Sequence, residues 1–220
     1  MEQVKDIRQE FKELYHGNQF VIDKSKVKML EIIGKSFVAD EETIFGNLST
    51  EYVLKELDWY ESQSLKLMED PPLAWKSVAS PEGDVNSNYG WCIFSAKNGL
   101  QYESAILQLL DFEQSRRAIM IYTRPSMQTD YCAHGMNDFM CTNTVQLLIR
   151  DERLWYIVNQ RSMDAIYGYK NDRYWHEHVL YRAIRDLSVA YPHLQPGPII
   201  FQVGSLHLYE KHFHFVSGSS

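Results

Sequence analysis

The sequence DFMCTNTVQLLIRDERLWYIVNQRSMDAIYGYKND, residues 138–172, contains the clearest structural signal in this chain. Within it, residues 145–149 and 154–158 are apolar runs rich in β-branched side chains, and the charged residues between them predict a turn. A hairpin brings the far ends of its two strands together. We therefore predict that Cys141 and Arg161 lie side by side.

That proximity has a chemical consequence. A free thiol is mostly protonated at neutral pH, and a neighbouring guanidinium stabilises the thiolate, which is the nucleophilic form. Cys141 is therefore a candidate nucleophile with Arg161 as its activating neighbour. The alternative is that Cys141 is a small buried apolar residue and Arg161 a surface charge, and these two residues alone leave both interpretations open.

The composition is that of an ordinary globular protein. A chain of 220 residues can bury a full core, and we predict one domain over residues 1–220. The hydrophobic content of 45 % and the charged content of 23 % are typical of soluble domains. No apolar run is long enough to span a membrane, and the polar N-terminus does not resemble a signal peptide. We therefore expect a cytoplasmic protein without membrane contact.

Net charge and cysteine content exclude further classes. A net charge of −7 argues against direct nucleic-acid binding, which needs a basic surface, so an anionic ligand requires a local cluster of arginines. Three cysteines without CxxC spacing argue against a disulfide framework or a zinc site, and the eight histidines form no ligand pattern. We expect no metal. The sequence also lacks a glycine-rich phosphate loop and the HExxH and G-x-S-x-G motifs.

Helical and strand patterns alternate along the chain. The helical patterns cover residues 1–16, 53–65, 102–110 and 175–187, and the strand patterns cover 118–123, 145–149, 154–158 and 198–209. Short strands are expected between residues 20 and 45, and residues 125–137 are expected to form a loop. We predict an α/β (α+β) fold with a large mixed sheet and flanking helices.

Several charged residues are weaker candidates by themselves. Glu56 lies in a predicted helix, where a solvated surface position is the simpler interpretation. Arg116 and Arg117 precede a strand and are either solvated charges or a phosphate fork, because guanidinium donors match phosphate oxygens. His207 and Tyr209 share one face of the last strand by its period of two.

Taken together, these motifs resemble the thymidylate synthase superfamily. The resemblance rests on ELDW at 56–59, YG at 89–90, SRR at 115–117, Cys141, QRSMD at 160–164 and GSLHLY at 204–209, in the order of the family. The stretches IIGKSFVADE at 32–41, NSNYGW at 86–91, MIYTRPSMQ at 120–128 and residues 138–146 are similar to its bacteriophage branch of deoxycytidylate hydroxymethylases. The resemblance extends over residues 20–215.

The resemblance implies a thymidylate synthase-like fold that dimerises through its sheet and has shared active sites. It implies that Cys141 adds to C6 of a pyrimidine nucleotide, so that C5 can attack the methylene of 5,10-methylenetetrahydrofolate. It also implies catalytic roles for Glu56 as a proton-relay carboxylate, for Tyr89 in ordering water and for Asp172.

Binding residues follow from the same resemblance. Arg161 and Ser162 resemble the residues that hold the nucleotide phosphate. Arg116 and Arg117 resemble a pair that reaches across the dimer to the phosphate in the partner subunit. This implies an obligate homodimer, because each site then needs both chains.

Further positions are assigned to the sugar, the base and the folate. His207 and Tyr209 resemble residues that bind the sugar 3′-hydroxyl, and Asn171 is assigned to substrate binding. Asp164 resembles the carboxylate that holds the pterin ring of folate. Trp75 resembles a tryptophan of the folate pocket, although a core position is nearly as good an interpretation.

Asp172 decides the expected substrate. Thymidylate synthases have Asn at the matching position, whose amide complements N3–H and O4 of uracil. Cytosine presents an amino donor at N4 and an acceptor at N3, and a carboxylate accepts from the amino group and from N3 once it is protonated. Asp172 therefore favours dCMP over dUMP. The alternative, which does not exclude this role, is that Asp172 caps the helix that contains Trp175.

The sequence also departs from the wider family. The nucleophile is preceded by Met140 rather than the Pro-Pro of synthases, and the arginine-bearing phosphate loop near the N-terminus is missing. Lys24 or Lys26 is a candidate replacement, and the sequence does not choose between them.

The expected function is a phage-encoded dCMP hydroxymethylase of the host-cell cytoplasm, which makes 5-hydroxymethyl-dCMP for modified phage DNA. The expected ligands are dCMP and folate, with other nucleotide-synthesis enzymes as possible partners. The alternatives are a dUMP hydroxymethylase, a thymidylate synthase, or a catalytically idle nucleotide-binding partner protein. Asp172 argues against the first two, and the intact set of Cys141, Glu56, Arg161 and Asp164 argues against the third.

Overall fold

The computed structural model of the chain describes residues 1–130 and 132–218. Its helices are α1 (Val4–His16), α2 (Thr50–Glu61), α3 (Leu73–Lys76), α4 (Tyr89–Phe94), α5 (Gln101–Asp111), α6 (Met127–Asp130) and α7 (Gly168–Leu187). Its strands are β1 (Val21–Ile22), β2 (Lys28–Val38), β3 (Ile119–Ile121), β4 (Thr142–Arg150), β5 (Arg153–Asp164) and β6 (Gln195–Tyr209). Short 3₁₀ turns cover Ala96–Asn98, Ala133–Gly135 and Glu210–Phe215.

The strands form a six-stranded sheet in the order β1-β2-β6-β5-β4-β3. Neighbouring strands are antiparallel except β5 and β6, which are parallel. Two parallel strands need a long crossover connection, and α7 provides it. The prediction of an α/β fold with a mixed sheet and flanking helices is confirmed.

The β4–β5 hairpin forms where the sequence predicted it. Ile149 pairs with Leu154, and Asp151 and Glu152 make the turn. Both turn residues have positive φ, +51° and +55°, which is the conformation that a two-residue hairpin of this hand requires. The hairpin therefore fixes the register of β4 against β5, and with it the relative position of the residues at the far ends.

The two faces of the sheet differ in burial. One face packs under helices and is fully buried at Val145, Leu147, Tyr156, Val158, Phe201 and Leu208. The opposite face, which we call the open face, holds Ile33, Ile119, Ile121, Leu148, Trp155 and Ile157, all of them only partly buried or exposed. Ile33 is 71 % exposed. A sheet face with this many accessible apolar side chains is unusual for a monomer.

Helix α1 shows how the periodic pattern becomes structure. Val4, Ile7 and Phe11 recur every three or four residues and are completely buried. Burial of each such side chain stabilises the fold by about 1.5–3 kcal/mol. The Val4 amide donates a hydrogen bond of 3.0 Å to Oδ1 of Asp40, which satisfies one of the free N–H groups of the first turn.

Helices α2 and α7 hold the candidate site between them. Helix α2 begins after Ser49, whose hydroxyl accepts a hydrogen bond from the Tyr52 amide. Near the start of α7, Lys170 Nζ donates a hydrogen bond of 2.7 Å to the carbonyl oxygen of Asn47. The first turn of α7 is thereby joined to the segment that leads into α2.

Two predicted segments differ from the structure. Helix α2 ends at Glu61, so Leu65 lies outside it, because Gln63 adopts a positive φ of +54° that a continuing helix does not allow. The predicted loop of residues 125–137 contains helix α6 and a 3₁₀ turn, and its Tyr131 lies outside the described residues.

Candidate active site

A cavity of about 420 Å³ lies at one end of the sheet, between α2, α4, α7 and the start of β4. Its lining includes the predicted site residues Glu56, Trp75, Tyr89, Cys141, Arg161, Asn171 and Asp172. A larger surface depression of about 720 Å³ lies along α7 and is lined by none of the predicted site residues. We therefore take the smaller cavity as the candidate active site.

Cys141 and Arg161 are neighbours, as the hairpin predicts. The Arg161 amide donates a hydrogen bond of 3.0 Å to the Cys141 carbonyl, and Nη2 of Arg161 lies 3.8 Å from the Cys141 sulfur. The guanidinium also donates to the carbonyl oxygens of Met140, at 2.9 Å, and Phe139, at 2.7 Å. These bonds fix the guanidinium against the segment that contains the thiol.

The thiol itself is not poised as a thiolate. The pKa of Cys141 is raised to about 11, because burial and the nearby carboxylate of Asp172 raise it and Arg161 lowers it by less. Arg161 lowers the pKa of the thiol, which is the direction expected of a residue that helps to hold the thiolate, but burial and Asp172 together outweigh it.

Glu56 is buried rather than solvated. It is 6 % exposed, and its Oε1 accepts hydrogen bonds of 3.0 Å from Tyr52 Oη and 3.0 Å from Trp75 Nε1. Burial raises the pKa of Glu56, and the two donors oppose that rise because they stabilise the ionised form. The interpretation of Glu56 as a surface residue is wrong, and Trp75 contacts the carboxylate directly.

Asp172 belongs to a buried network. Gln160 Nε2 donates hydrogen bonds of 2.8 Å to Asp172 Oδ2 and 3.0 Å to the hydroxyl oxygen of Thr142, which in turn donates to Tyr89 Oη at 3.1 Å. Burial raises the pKa of Asp172 to about 7, against the effect of the Gln160 donor, and the nearby charge of Glu56 adds to the rise. Asp172 can therefore bind or release a proton near neutral pH.

The alternative that Asp172 caps α7 is wrong. The helix begins at Gly168 with Tyr167 at the N-cap position, so Asp172 lies inside the helix and its side chain points into the cavity it lines. Asn171 precedes it and also lines the cavity.

Tyr89 is held by close packing between α2 and α4. Its ring stacks on Tyr60 with centroids 5.1 Å apart and planes 10° apart. Gly90 follows it, and a Cβ atom at that position would lie 1.8 Å from the carbonyl oxygen of Tyr60. Only glycine allows α4 to approach α2 this closely, so Gly90 sets the distance between Tyr89 and the helix that contains Glu56.

Four of the predicted binding residues lie beyond the lining of the cavity, near the C-terminal ends of β5 and β6. Ser162 pairs with Ser205 and Asp164 with His207, and Tyr209 ends β6 two residues later. Oδ1 of Asp164 accepts hydrogen bonds from the amides of residues 166 and 167, both at 2.7 Å. One oxygen of this carboxylate therefore stabilises the turn into α7.

The other predicted basic residues lie in two regions, one at the cavity and one beside β3. Lys24 lines the cavity, whereas Lys26 is not among its lining residues, so the geometry favours Lys24. Arg116 and Arg117 line a separate hollow beside β3. The Arg116 carbonyl accepts a hydrogen bond of 2.8 Å from Gln146, which lies on the open face. The pair thus lies at the border of the open face, apart from the cavity of its own chain.

Sequence reasoning missed three site residues. Tyr52 has a general signal only, because it lies one helical turn before Glu56. Gln160 had a sharper one, since it is a polar residue at a core-facing position of an alternating strand. Thr142 had none, because a register shift between Thr142 and Thr144 buries it against the alternation of β4. A buried polar side chain requires partners, and here the partners are each other and Asp172.

The described residues contain neither a cluster of metal-ligating side chains nor a membrane-spanning helix. Over residues 1–130 and 132–218, no group of three or more His, Cys, Asp or Glu side chains is arranged to hold a metal ion. Within the same residues, no helix is long and apolar enough to cross a membrane.

Fold, cavity and sequence together define the class of protein. The thymidylate synthase family model matches residues 23–218, and the chain belongs to that family. The chain is 50 % identical over 218 residues to the deoxycytidylate 5-hydroxymethyltransferase of enterobacteria phage T6, covering 97 % of this chain and 89 % of the relative. The phage T4 enzyme of that name is 49 % identical over the same length.

A solved structure shows the same fold. The crystal structure of thymidylate synthase from T4 phage aligns with a TM-score of 0.75 at 17 % identity, and the alignment covers 96 % of this chain and 78 % of that chain. The predicted thymidylate synthase-like fold is confirmed.

Proposed function

We propose that this chain is a deoxycytidylate 5-hydroxymethyltransferase. It converts dCMP, 5,10-methylenetetrahydrofolate and water into 5-hydroxymethyl-dCMP and tetrahydrofolate. The observation that supports this most strongly is that Asp172 and Cys141 line one cavity, in a chain that is 50 % identical to a curated phage enzyme of that name. Because the relatives are phage proteins, we propose a phage-encoded enzyme that acts in the cytoplasm of the infected host and supplies modified DNA precursors.

Cys141 starts the reaction by forming a bond between its sulfur and C6 of the pyrimidine. The electrons of the C5–C6 double bond move to C5, which becomes nucleophilic. Bound 5,10-methylenetetrahydrofolate supplies the methylene carbon that C5 attacks. C5 then loses its proton, and the bond from the methylene to the folate nitrogen breaks. Water adds to the exocyclic carbon that results. The Cys141–C6 bond then breaks and releases the product.

Asp172 recognises the base and exchanges a proton with its N3 atom. With a pKa of about 7, it is ionised in roughly half of the molecules at neutral pH. The carboxylate accepts from the N4 amino group of cytosine, and the protonated form donates to N3 as negative charge develops on the ring. Uracil has a carbonyl oxygen and an N–H at these positions, so the carboxylate faces one acceptor where cytosine offers a donor.

Glu56 and Tyr89 line the same cavity as Cys141, and we assign the attacking water to Glu56. A buried carboxylate with a raised pKa is a stronger base than a solvated one. We expect Glu56→Gln to lower turnover at least a hundredfold while dCMP affinity changes little. Steady-state kinetics measure the turnover, and equilibrium dialysis with labelled dCMP measures the affinity. Near-normal turnover in Glu56→Gln would contradict the assignment.

The cavity suits a planar, anionic co-substrate. Trp75, Phe139 and Tyr167 supply aromatic surface, and Arg161 and Lys24 supply positive charge. We assign the nucleotide phosphate to Arg161, Ser162 and Lys24. His207 and Tyr209 are assigned to the sugar, and Asp164 with Trp75 to the folate ring.

We further propose that two chains pair through the open face. The apolar side chains there are accessible in one chain, and a second chain packed against them would remove this area from water. Arg116 and Arg117 border this face, where they can reach the phosphate site of the partner.

One assay tests the proposed function. Purified protein is incubated with dCMP and 5,10-methylenetetrahydrofolate, with dUMP in parallel, and the nucleotide products are weighed by mass spectrometry. We expect a hydroxymethyl mass on dCMP, no dihydrofolate, and little reaction with dUMP. A methyl mass or reaction with dUMP alone indicates a synthase or a dUMP hydroxymethylase. Binding of dCMP without any product indicates an idle nucleotide-binding protein.

A further inference from the structure

Tyr52 and Glu56 lie one turn apart on α2, and both line the cavity. The Tyr52 hydroxyl donates to Oε1 of Glu56 at 3.0 Å, and Trp75 donates to the same oxygen at 3.0 Å. Within the described residues, no protein group donates to Oε2. One oxygen of the carboxylate is therefore held twice, and the other is left for a molecule in the cavity.

Tyr52 can act only as a donor to this carboxylate. Burial and the nearby charge of Glu56 raise the pKa of Tyr52 above its usual value, so its hydroxyl keeps its proton over the whole working range of pH. A permanent donor stabilises the ionised form of Glu56 and opposes the effect of burial. Trp75 is likewise a donor that cannot be an acceptor.

We propose that Tyr52 is a positioning residue for Glu56: its hydroxyl favours the ionised carboxylate and turns it so that Oε2 holds the attacking water. This inference rests on the proposed function, because it needs Glu56 to act on water. The hydrogen bond has two effects. It lowers the proton affinity of the base, and it fixes the rotation of the carboxylate about its last bond.

Other titratable groups face the same site, and their titration has to be distinguished from that of Glu56. Asp172 approaches it from α7, Tyr89 from α4, and Tyr60 from α2 itself. Cys141, Arg161 and Lys24 line the same cavity. Asp172 has a pKa of about 7, so its titration has to be distinguished from that of Glu56.

The test is Tyr52→Phe, which removes the hydroxyl and keeps the ring. Without this donor the pKa of Glu56 rises, so the acid limb of the kcat/KM profile for dCMP moves to higher pH by about one unit. Infrared difference spectra of each protein against its Glu56→Gln counterpart isolate the Glu56 carboxyl band from that of Asp172. The band should titrate at correspondingly higher pH in Tyr52→Phe.

Two further variants separate positioning from folding. Ser49→Ala removes the cap of the same helix, and it should lower the melting temperature without moving the acid limb. Trp75→Phe removes the other donor and should move the limb in the same direction as Tyr52→Phe, which keeps the test decisive if Tyr52→Phe folds poorly.

The inference is overturned if both donor variants titrate like the unsubstituted chain while their turnover falls. It is equally overturned if Ser49→Ala moves the acid limb as far as Tyr52→Phe. If the unsubstituted chain makes no 5-hydroxymethyl-dCMP, the proposed function fails first, and the infrared titration still reports whether Tyr52 controls Glu56.

Discussion

Asp172 shows how burial of one carboxyl group couples catalysis to stability. Its pKa is about 7 in the folded chain, whereas an unfolded Asp titrates near 3.9. Well below pH 3.9 the group is protonated in both states and has no effect on the free energy of unfolding. As the pH rises towards 7, only the unfolded chain releases its proton readily, so the folded state is progressively destabilised.

We therefore expect Asp172→Asn to be more stable than the unsubstituted chain at pH 8, by about 2–4 kcal/mol, and about equal to it at pH 4. Urea unfolding at the two pH values measures the difference. Asp58→Asn, on an exposed position of α2, is the matched control and should show no such dependence. A pH-independent difference for Asp172→Asn would show that its carboxyl is not perturbed.

The reactivity of Cys141 gives a second prediction at this scale. With a pKa of about 11, roughly one thiol in a thousand is ionised at pH 8. We expect slow alkylation by iodoacetamide. The rate should be several-fold higher in Asp172→Asn, because this variant lacks the negative charge that raises the pKa of Cys141. It should be lower in Arg161→Met, because this variant lacks the positive charge that lowers that pKa.

The alkylation is measured by intact mass in a Cys132→Ser background, since Cys132 is exposed and Cys92 is buried. Equal rates in all three proteins would contradict the electrostatic account of this thiol.

At the scale of elements, the contact between α2 and α4 depends on one missing side chain. Gly90→Ala places a methyl group 1.8 Å from the Tyr60 carbonyl, so the two helices have to separate. We expect a loss of about 3 kcal/mol in the free energy of unfolding and a fall in activity, because Tyr89 and Glu56 move apart. Denaturant unfolding and the hydroxymethylation assay test both parts.

Gly168→Ala is the matched control, because its nearest obstacle is Asp164 Cβ at 3.5 Å and the residue lies in α7. We expect its stability to stay the same or to rise by up to about 1 kcal/mol. A similar loss in both variants would indicate a general sensitivity of helices to substitution rather than a specific close approach.

Secondary-structure elements could be predicted from the sequence better than contacts between elements, because the first depend on local patterns. The β4–β5 hairpin follows from local alternation and a local turn, and α1 follows from the spacing of Val4, Ile7 and Phe11. The raised pKa of Cys141 depends instead on burial and on Asp172, which approaches it from another element. Hydrogen bonds such as those of Gln160 depend on where α7 crosses the sheet, which no local pattern contains. The family resemblance supplied candidate site residues that the sequence pattern alone did not indicate.

At the scale of the whole molecule, the open face predicts the oligomeric state. Ile157→Arg places a charge in the middle of this face, and we expect a monomer with less than a tenth of the activity, because Arg116 and Arg117 then no longer reach a partner. Sedimentation velocity measures the assembly. Val189→Arg, at a residue that is 92 % exposed on another surface, should leave it unchanged. A fully active monomer would refute shared sites.

The strand order has a consequence for the synthesis of the protein on the ribosome. Met29 near the start of β2 pairs with Tyr209 at the end of β6, and β6 also separates β2 from β5. The centre of the sheet therefore stays open until β6 has left the exit tunnel. Until then β2 and β5 each present an unpaired edge, so nascent or prematurely terminated chains should depend on chaperones to avoid aggregation.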